Sequence, residues 1–411
     1  MGLYMEKIFG FIQYLVNFVT NIFIKPKEEY EQSAMVYNVV WSLSKLTDAA
    51  SRESFIVLFE KFEHPSILLE DKYTLYSVSD SEAIFVDCGG KDVFDKNVVF
   101  SYLAQLRNAK KMVAIPLSSF HLIANQVFIP KIPIIHMANH GRCGSTLSTK
   151  LFNEIPNVFS ISETLCFSNL VRMSQDNGDS QNEKIKKLCR SVILMTIKHA
   201  NSRHSSCLFL KCQSNVIFIT DLMFESFPEM THVFMYRQPE DFIRSWEKIF
   251  VNNNWNVFPT SLFLRMSGIG KHRMSKDIEL PSYEDVDKLN FFSKFALVWM
   301  SNVAAYKYLV NNGYRLKSLK YEHLLENPDR ILRNLFEYVG LPLHKMPDIK
   351  KVMSKDSQAG TIWSTRSHDQ KVLKEKLTPI TDGMKADVEN LMKVYKIDEF
   401  WDDVILENPI M

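Results

Sequence analysis

Between a short apolar run and an amphipathic segment the sequence places His140-Gly141-Arg142-Cys143-Gly144-Ser145-Thr146-Leu147. Its two glycines permit a tight turn and let an anion approach the backbone with no Cβ in the way. A helix starting after Gly144 aims unpaired N–H groups and a positive dipole end at the same spot. Ser145 and Thr146 add hydroxyl donors, and Arg142 adds a permanent charge on a forked donor set. These residue types suit the binding of a phosphate or a sulfate. They do not suit a nucleoside triphosphatase, because Ser145 rather than Lys follows Gly144 and the nearest downstream lysine is Lys150. Taken alone, the run is also explained by a plain glycine turn into a helix.

A second pair of residues left free to bind lies further along. His232–Tyr236 reads as a strand, Arg237 stands at its end, and Pro239 suits the first turn of a helix over Glu240–Phe250. Phe242, Ile243, Trp246, Ile249 and Phe250 share one helical face, which leaves Ser245 on the other. The bland alternative is a surface arginine with a solvated serine.

These groups need a scaffold that holds them together. From Ile132 onward the pattern runs strand, glycine loop, helix and strand again, the mark of a parallel sheet. Ile134–Ala138, Val158–Ile161, Cys207–Leu210 and His232–Tyr236 read as strands, and Thr146–Glu154 as a helix burying Leu147, Leu151 and Phe152. The preceding residues 31–130 read as an accessory α/β region. It has a strand at Ala83–Asp87 closed by Gly89-Gly90, helices at Phe100–Leu106 and Ser118–Ile123, and no chemical constellation.

Arg142-Cys143-Gly144-Ser145-Thr146-Leu147 resembles the 5′-phosphosulfate loop of sulfotransferases, Lys/Arg-x-Gly-Ser/Thr-Ser/Thr, with Arg leading as in carbohydrate-type members and Cys143 where Ser is usual. Arg237, Pro239 and Ser245 resemble the same family's 3′-phosphate motif. Leu319–Pro328, with Asn327 as a helix N-cap and a following helix ended by Gly340 and Pro342, resembles its tyrosine-glutamate-x-leucine strand and Asn-Pro helix. The likeness runs from Ile132 to Ile397.

The resemblance implies a P-loop-like α/β fold, a central parallel sheet flanked by helices, over 131–411. Residues 31–130 precede it as the accessory region and 1–30 as an apolar helix. It implies 3′-phosphoadenosine-5′-phosphosulfate as co-substrate, no metal, and a hydroxyl or amine acceptor on a carbohydrate or small molecule. Gly141, Arg142, Cys143, Gly144, Ser145, Thr146, Arg237 and Ser245 then hold the nucleotide. Lys211, closing the strand Leu208–Leu210, neutralises charge near the leaving phosphate or merely snorkels to solvent, and Arg366, on the loop Asp356–Ser367, makes a second 3′-phosphate contact or is an incidental arginine of a surface loop. Glu163, at the carboxyl end of a strand expected beside the loop, is the candidate base, with a helix-capping carboxylate as the alternative. His140 is its rival, standing where the family usually has an apolar or aromatic residue. The long stretch Val251–Asp287, with its aromatic and polar residues, reads as lining an acceptor pocket or as merely covering the core. Two other functions compete: a P-loop kinase or hydrolase, and a non-catalytic nucleotide-binding membrane protein of the same fold.

Composition constrains the partners. The 411 residues are 46% hydrophobic and 23% charged, with a net charge of +2, so the chain is globular and not built to grip nucleic acid. Six cysteines without a CxxC pair argue against a zinc site of usual spacing and fit a reduced compartment. Ile8–Ile24 is strongly apolar, flanked by Lys7, Lys25 and Lys27, with Gln13, Asn17 and Asn21 forming a polar stripe. It reads as a membrane-associated segment, spanning or lying in the surface, and as an anchor more than a cleaved signal. The chain has no Asn-x-Ser/Thr sequon, which leans toward the cytoplasmic alternative.

Overall fold

Two five-stranded sheets organise the chain, one antiparallel and one parallel. The computed structural model describes residues 33–411 apart from 43–49, 176–178, 254–273, 275–281, 355, 359–360, 362–363 and 365–376. The expected apolar helix over 8–24, Arg366 and most of the 251–287 stretch lie outside the described residues. No helix among the described residues is long and apolar enough to cross a membrane.

The first sheet contains β1 (Ala34–Ser42), β2 (Phe55–Glu63), β3 (Tyr73–Val78), β4 (Glu82–Asp87) and β5 (Lys111–Pro116), in the order β2-β1-β5-β4-β3. Helices α1 (Ser101–Asn108) and α2 (Leu117–Ala124) flank β5 in the chain. Both helices and β4 match the elements expected of this region within a few residues.

The second sheet is built from β6 (Ile134–Asn139), β7 (Val158–Ser162), β8 (Cys207–Lys211), β9 (Met230–Tyr236) and β10 (Leu316–Lys320). All its pairings are parallel, in the order β10-β9-β6-β8-β7. Its strands are short apolar runs because both faces are covered. On β6, Ile135 and Met137 enter one core cluster while Ile134 and Ala138 enter the other, the alternation a strand imposes. The Ile135 cluster is closed by α3 (Ser145–Asn153) and α9 (Pro328–Val339). The Ile134 cluster continues without a break into the antiparallel sheet, through α4 (Leu165–Gln175) and α5 (Asp179–Ser202). The accessory region therefore shares a core with the parallel sheet.

Two expectations change. β8 lies between β6 and β7, so the strand bearing Glu163 at its end is two places from the loop strand, not adjacent to it. The segment resembling a tyrosine-glutamate-x-leucine strand leaves the sheet at Lys320 and turns helical as α8 (Tyr321–Glu326). Asn327 occupies the N-cap position of α9 but makes no side-chain capping bond, while Gly340 ends that helix in the left-handed region at φ 75°. All six cysteines are buried free thiols.

Candidate anion-binding site

The loop after β6 is shaped from beneath by Asn139. Its Oδ1 accepts from the Gly141 N–H at 2.9 Å and from Ser145 Oγ at 3.3 Å, while its Nδ2 donates to the Cys212 carbonyl at 2.8 Å. One strand-end side chain thus ties the loop, the start of α3 and the segment after β8. An Asn just ahead of a glycine loop is the sequence signal for this role. Gly144 sits at φ 82° as the residue before α3, and a Cβ there would overlap the Tyr321 ring. Glycine is required at 144 by backbone conformation and by packing alike. With no side chain capping α3, its first-turn N–H groups have no acceptor inside the helix.

Arg142 holds a left-handed backbone at φ 48°. Its Nε donates to Ser245 Oγ at 3.0 Å and its Nη1 to Gln358 Oε1, so the loop touches α6 (Pro239–Asn253) directly. Burial, and next the nearby Arg237 guanidinium, push the Arg142 pKa down to about 10. Arg237 lies across the Tyr321 ring at 5.2 Å. Its nearest carboxylates stay beyond good hydrogen-bond reach, Asp241 Oδ2 at 3.5 Å and Glu322 Oε1 at 3.6 Å. Arg237 Nε is buried and makes no hydrogen bond.

These groups surround one cavity of about 210 Å³. Arg142, Gly144, Ser145, Thr146, Arg237 and Ser245 line it, so the structure brings the two sequence-predicted anion sets onto a single surface. Arg244, Lys248, Tyr321 and Gln358 also line it and had been given no role. Gln358 reaches Thr146 Oγ1 at 3.4 Å as well as Arg142, so the start of the 356–367 loop closes this side. Four cationic side chains line it beside two carboxylates, Asp241 and Asp356, and one of the four, Arg244, is already paired with Glu247 at 2.7 Å. Such an excess suits a multiply charged anion.

Cys143 contributes no side chain to the cavity. Its thiol is buried in the core cluster beneath α3, and burial pushes its pKa up to about 11. Only its backbone is available to a ligand. His140 is 1% exposed, its Nε2 accepts from the Arg237 N–H at 2.8 Å, and its Nδ1 is 2.8 Å from the Gly141 carbonyl. With both ring nitrogens bound to backbone, it is not presented to an acceptor as a base. Glu163 and Lys211 do not line the cavity. They form an ion pair at the ends of β7 and β8, where Lys211 lies 5.6 Å from the Phe100 ring centroid of the accessory region. The Glu163 N–H donates to the Lys211 carbonyl at 2.8 Å, with Glu163 held at φ 57°. Helix α4 starts only at Leu165. A charged residue kept in the left-handed region is strained backbone of the kind found at functional sites.

No family model and no curated protein matches the chain. Solved structures do. A sulfotransferase from Alicyclobacillus acidocaldarius aligns with 66% of this chain and 98% of its own at 15% identity and a TM-score of 0.37. The sulfotransferase domain of the curacin biosynthetic pathway aligns with 66% and 99% at 14% identity and 0.36. Mouse sulfotransferase SULT7A1, solved in complex with PAP, aligns with 68% and 92% at 10% identity and 0.36. In each case what this chain is similar to is a sulfotransferase.

Proposed function

We propose that the chain is a sulfotransferase that moves the sulfuryl group of 3′-phosphoadenosine-5′-phosphosulfate onto a hydroxyl or amine of a carbohydrate or other small acceptor. The observation that carries this reading is the convergence of Arg142, Ser145 and Thr146 with Arg237 and Ser245 on one cavity. The residues fit a ligand bearing two anionic ends. Gly144 leaves room at the helix start, and the buried Arg237 Nε lacks an acceptor that a phosphate oxygen would supply.

In this reading the 141–146 loop holds the 5′-phosphosulfate, and Arg237 and Ser245 hold the 3′-phosphate. The co-substrate supplies an activated sulfur–oxygen bond to phosphate. Glu163 lies outside this cavity, so in this reading the acceptor enters between the loop and the Glu163–Lys211 pair at the ends of β7 and β8, where Glu163 takes its proton. Arg142 and the first turn of α3 offset the charge that builds on the departing phosphate. Membrane association through Ile8–Ile24 belongs to the same proposal, and carbonate-resistant sedimentation of the full chain, lost on deleting that segment, tests it.

Calorimetry with adenosine-3′,5′-bisphosphate and with ATP plus magnesium tests the main reading. Tight binding of the bisphosphate by the wild type is expected, with loss in Arg237→Ala. Preferential binding of magnesium-ATP overturns it in favour of a kinase or hydrolase. Binding without sulfation of any sugar, steroid or phenol acceptor favours a non-catalytic protein. Glu163→Gln is expected to keep nucleotide affinity while losing about 100-fold or more in turnover.

A further inference from the structure

The imidazole of His140 joins the two arms of the cavity. Arg237 follows the last residue of β9, beyond the registers that pair β9 with β6 and β10, so its N–H has no partner in the strand ladder. His140 Nε2 accepts that N–H at 2.8 Å. An Nε2 that accepts cannot carry the proton, which places it on Nδ1, where it is donated to the Gly141 carbonyl 2.8 Å away. From the opposite side, Trp299 on α7 (Phe291–Asn311) donates its indole N–H to the Arg237 carbonyl at 2.9 Å. Both backbone polar groups of Arg237 are therefore clamped by side chains from other elements. The His140 ring cannot drift, because Phe242 packs edge-on at 4.6 Å and Phe234 at 6.3 Å.

We propose that His140 is a positioning residue whose neutral ring locks the backbone of Arg237 to the 141–146 loop, so that two anion subsites are presented as one preorganised unit. The ligand named for the test rests on the sulfotransferase reading, whereas the strut itself does not. Where sulfotransferases usually have an apolar or aromatic residue, this chain has a bridge between its two subsites. Preorganisation of this kind raises affinity by lowering the ordering cost of the site.

Five variants and two readouts test it. His140→Phe keeps an aromatic body and loses both bonds. His140→Asn is long enough for Gly141 only, so it loses the Arg237 bond. His140→Gln carries an acceptor and a donor at similar reach. Arg237→Ala, alone and combined with His140→Phe, completes a double-mutant cycle. By calorimetry with the bisphosphate, the Phe and Asn variants are expected to bind about 10-fold more weakly, and the Gln variant to recover most of that. Combined with Arg237→Ala, the Phe change is expected to add little, since a misplaced arginine has less to lose. Hydrogen exchange should show the Arg237 amide unprotected in the Phe and Asn variants and protected in the Gln variant. The proposal fails if Phe and Asn bind like wild type with that amide still protected, or if the two losses simply multiply. A wild type that does not bind the bisphosphate sinks the sulfotransferase reading, and amide exchange then decides the strut. Should His140→Phe not fold, the Asn and Gln variants carry the same test.

Discussion

Two clusters of charge in this protein behave in opposite ways. One joins the antiparallel sheet to α5. There Lys198 donates to the carbonyls of Leu68, Glu70 and Tyr73 at 2.7 to 2.9 Å, and His199 contacts Asp71 at 2.6 Å. Arg203 reaches Asp71 at 3.2 Å and Asp92 at 2.9 Å. Each charge there is answered by another part of the chain. The other cluster is the cavity, where Arg244 is paired with Glu247 at 2.7 Å, but Arg142 donates to the neutral Ser245 and Gln358 and Arg237 holds its carboxylates at arm's length. A charge cluster neutralised from within is a structural joint. One left with surplus charge is built for something that arrives from outside.

The sharpest way to break that comparison is to remove one cation from each. Arg237→Ala is expected to weaken bisphosphate binding by about 100-fold or more, as a charged hydrogen-bonding partner is lost, while the melting temperature moves little. Isothermal calorimetry paired with a thermal melt reads both. Loss of stability without loss of binding would make Arg237 a joint like Lys198.

The converse is Lys198→Met. It leaves three buried carbonyls without their donor and is expected to destabilise by about 3 kcal/mol, seen as several degrees in the melt, with nucleotide affinity unchanged. Burial pushes the Lys198 pKa down from 10.5 to about 7, so the wild type gains stability as pH rises through that window and the cost of Lys198→Met should grow above neutral pH. An affinity that fell in parallel with stability would mean that the two sheets communicate through this seam.

The difference between the clusters also explains what the sequence could reveal. The strand, glycine loop and helix around 134–153, and the strand ending in Arg237, are local patterns complete within about twenty residues, and they were legible. Strand order was not. The placement of β8 between β6 and β7 comes from crossovers through α4 and α5, so the position of Glu163 could not be read from its distance along the chain. Contacts that depend on long loops were equally hidden: Tyr321 against Gly144, Gln358 on Arg142, Trp299 on the Arg237 carbonyl. Cys143 looked like a member of the anion loop because a four-residue turn gives no sign of which side chain faces the core. The seam around Lys198 left no sequence mark, since its partners are mostly backbone carbonyls.

A smaller effect separates the clusters by pH. His140 in the cavity wall and His199 in the seam are both buried, and burial pushes each pKa down from 6.5 to about 4. A histidine neutral when folded and protonated when unfolded costs stability as acid is added. The loss begins as pH falls through about 6.5 and is complete near the folded value of about 4. Each such group contributes a slope of about 1.4 kcal/mol per pH unit inside that window. Denaturant melts at pH 7, 6 and 5 should therefore show a shallower acid slope in His140→Phe than in wild type, by about that amount. Asp71→Asn acts differently. The Asp71 carboxylate raises the His199 pKa against burial, so its removal should extend the loss at His199, which still begins near 6.5, to lower pH and leave the nucleotide site untouched. An unchanged slope in His140→Phe would mean that His140 is already protonated in the native state near pH 5. An imidazolium has no lone pair to accept the Arg237 N–H, so that result would remove the strut between the two subsites at that pH.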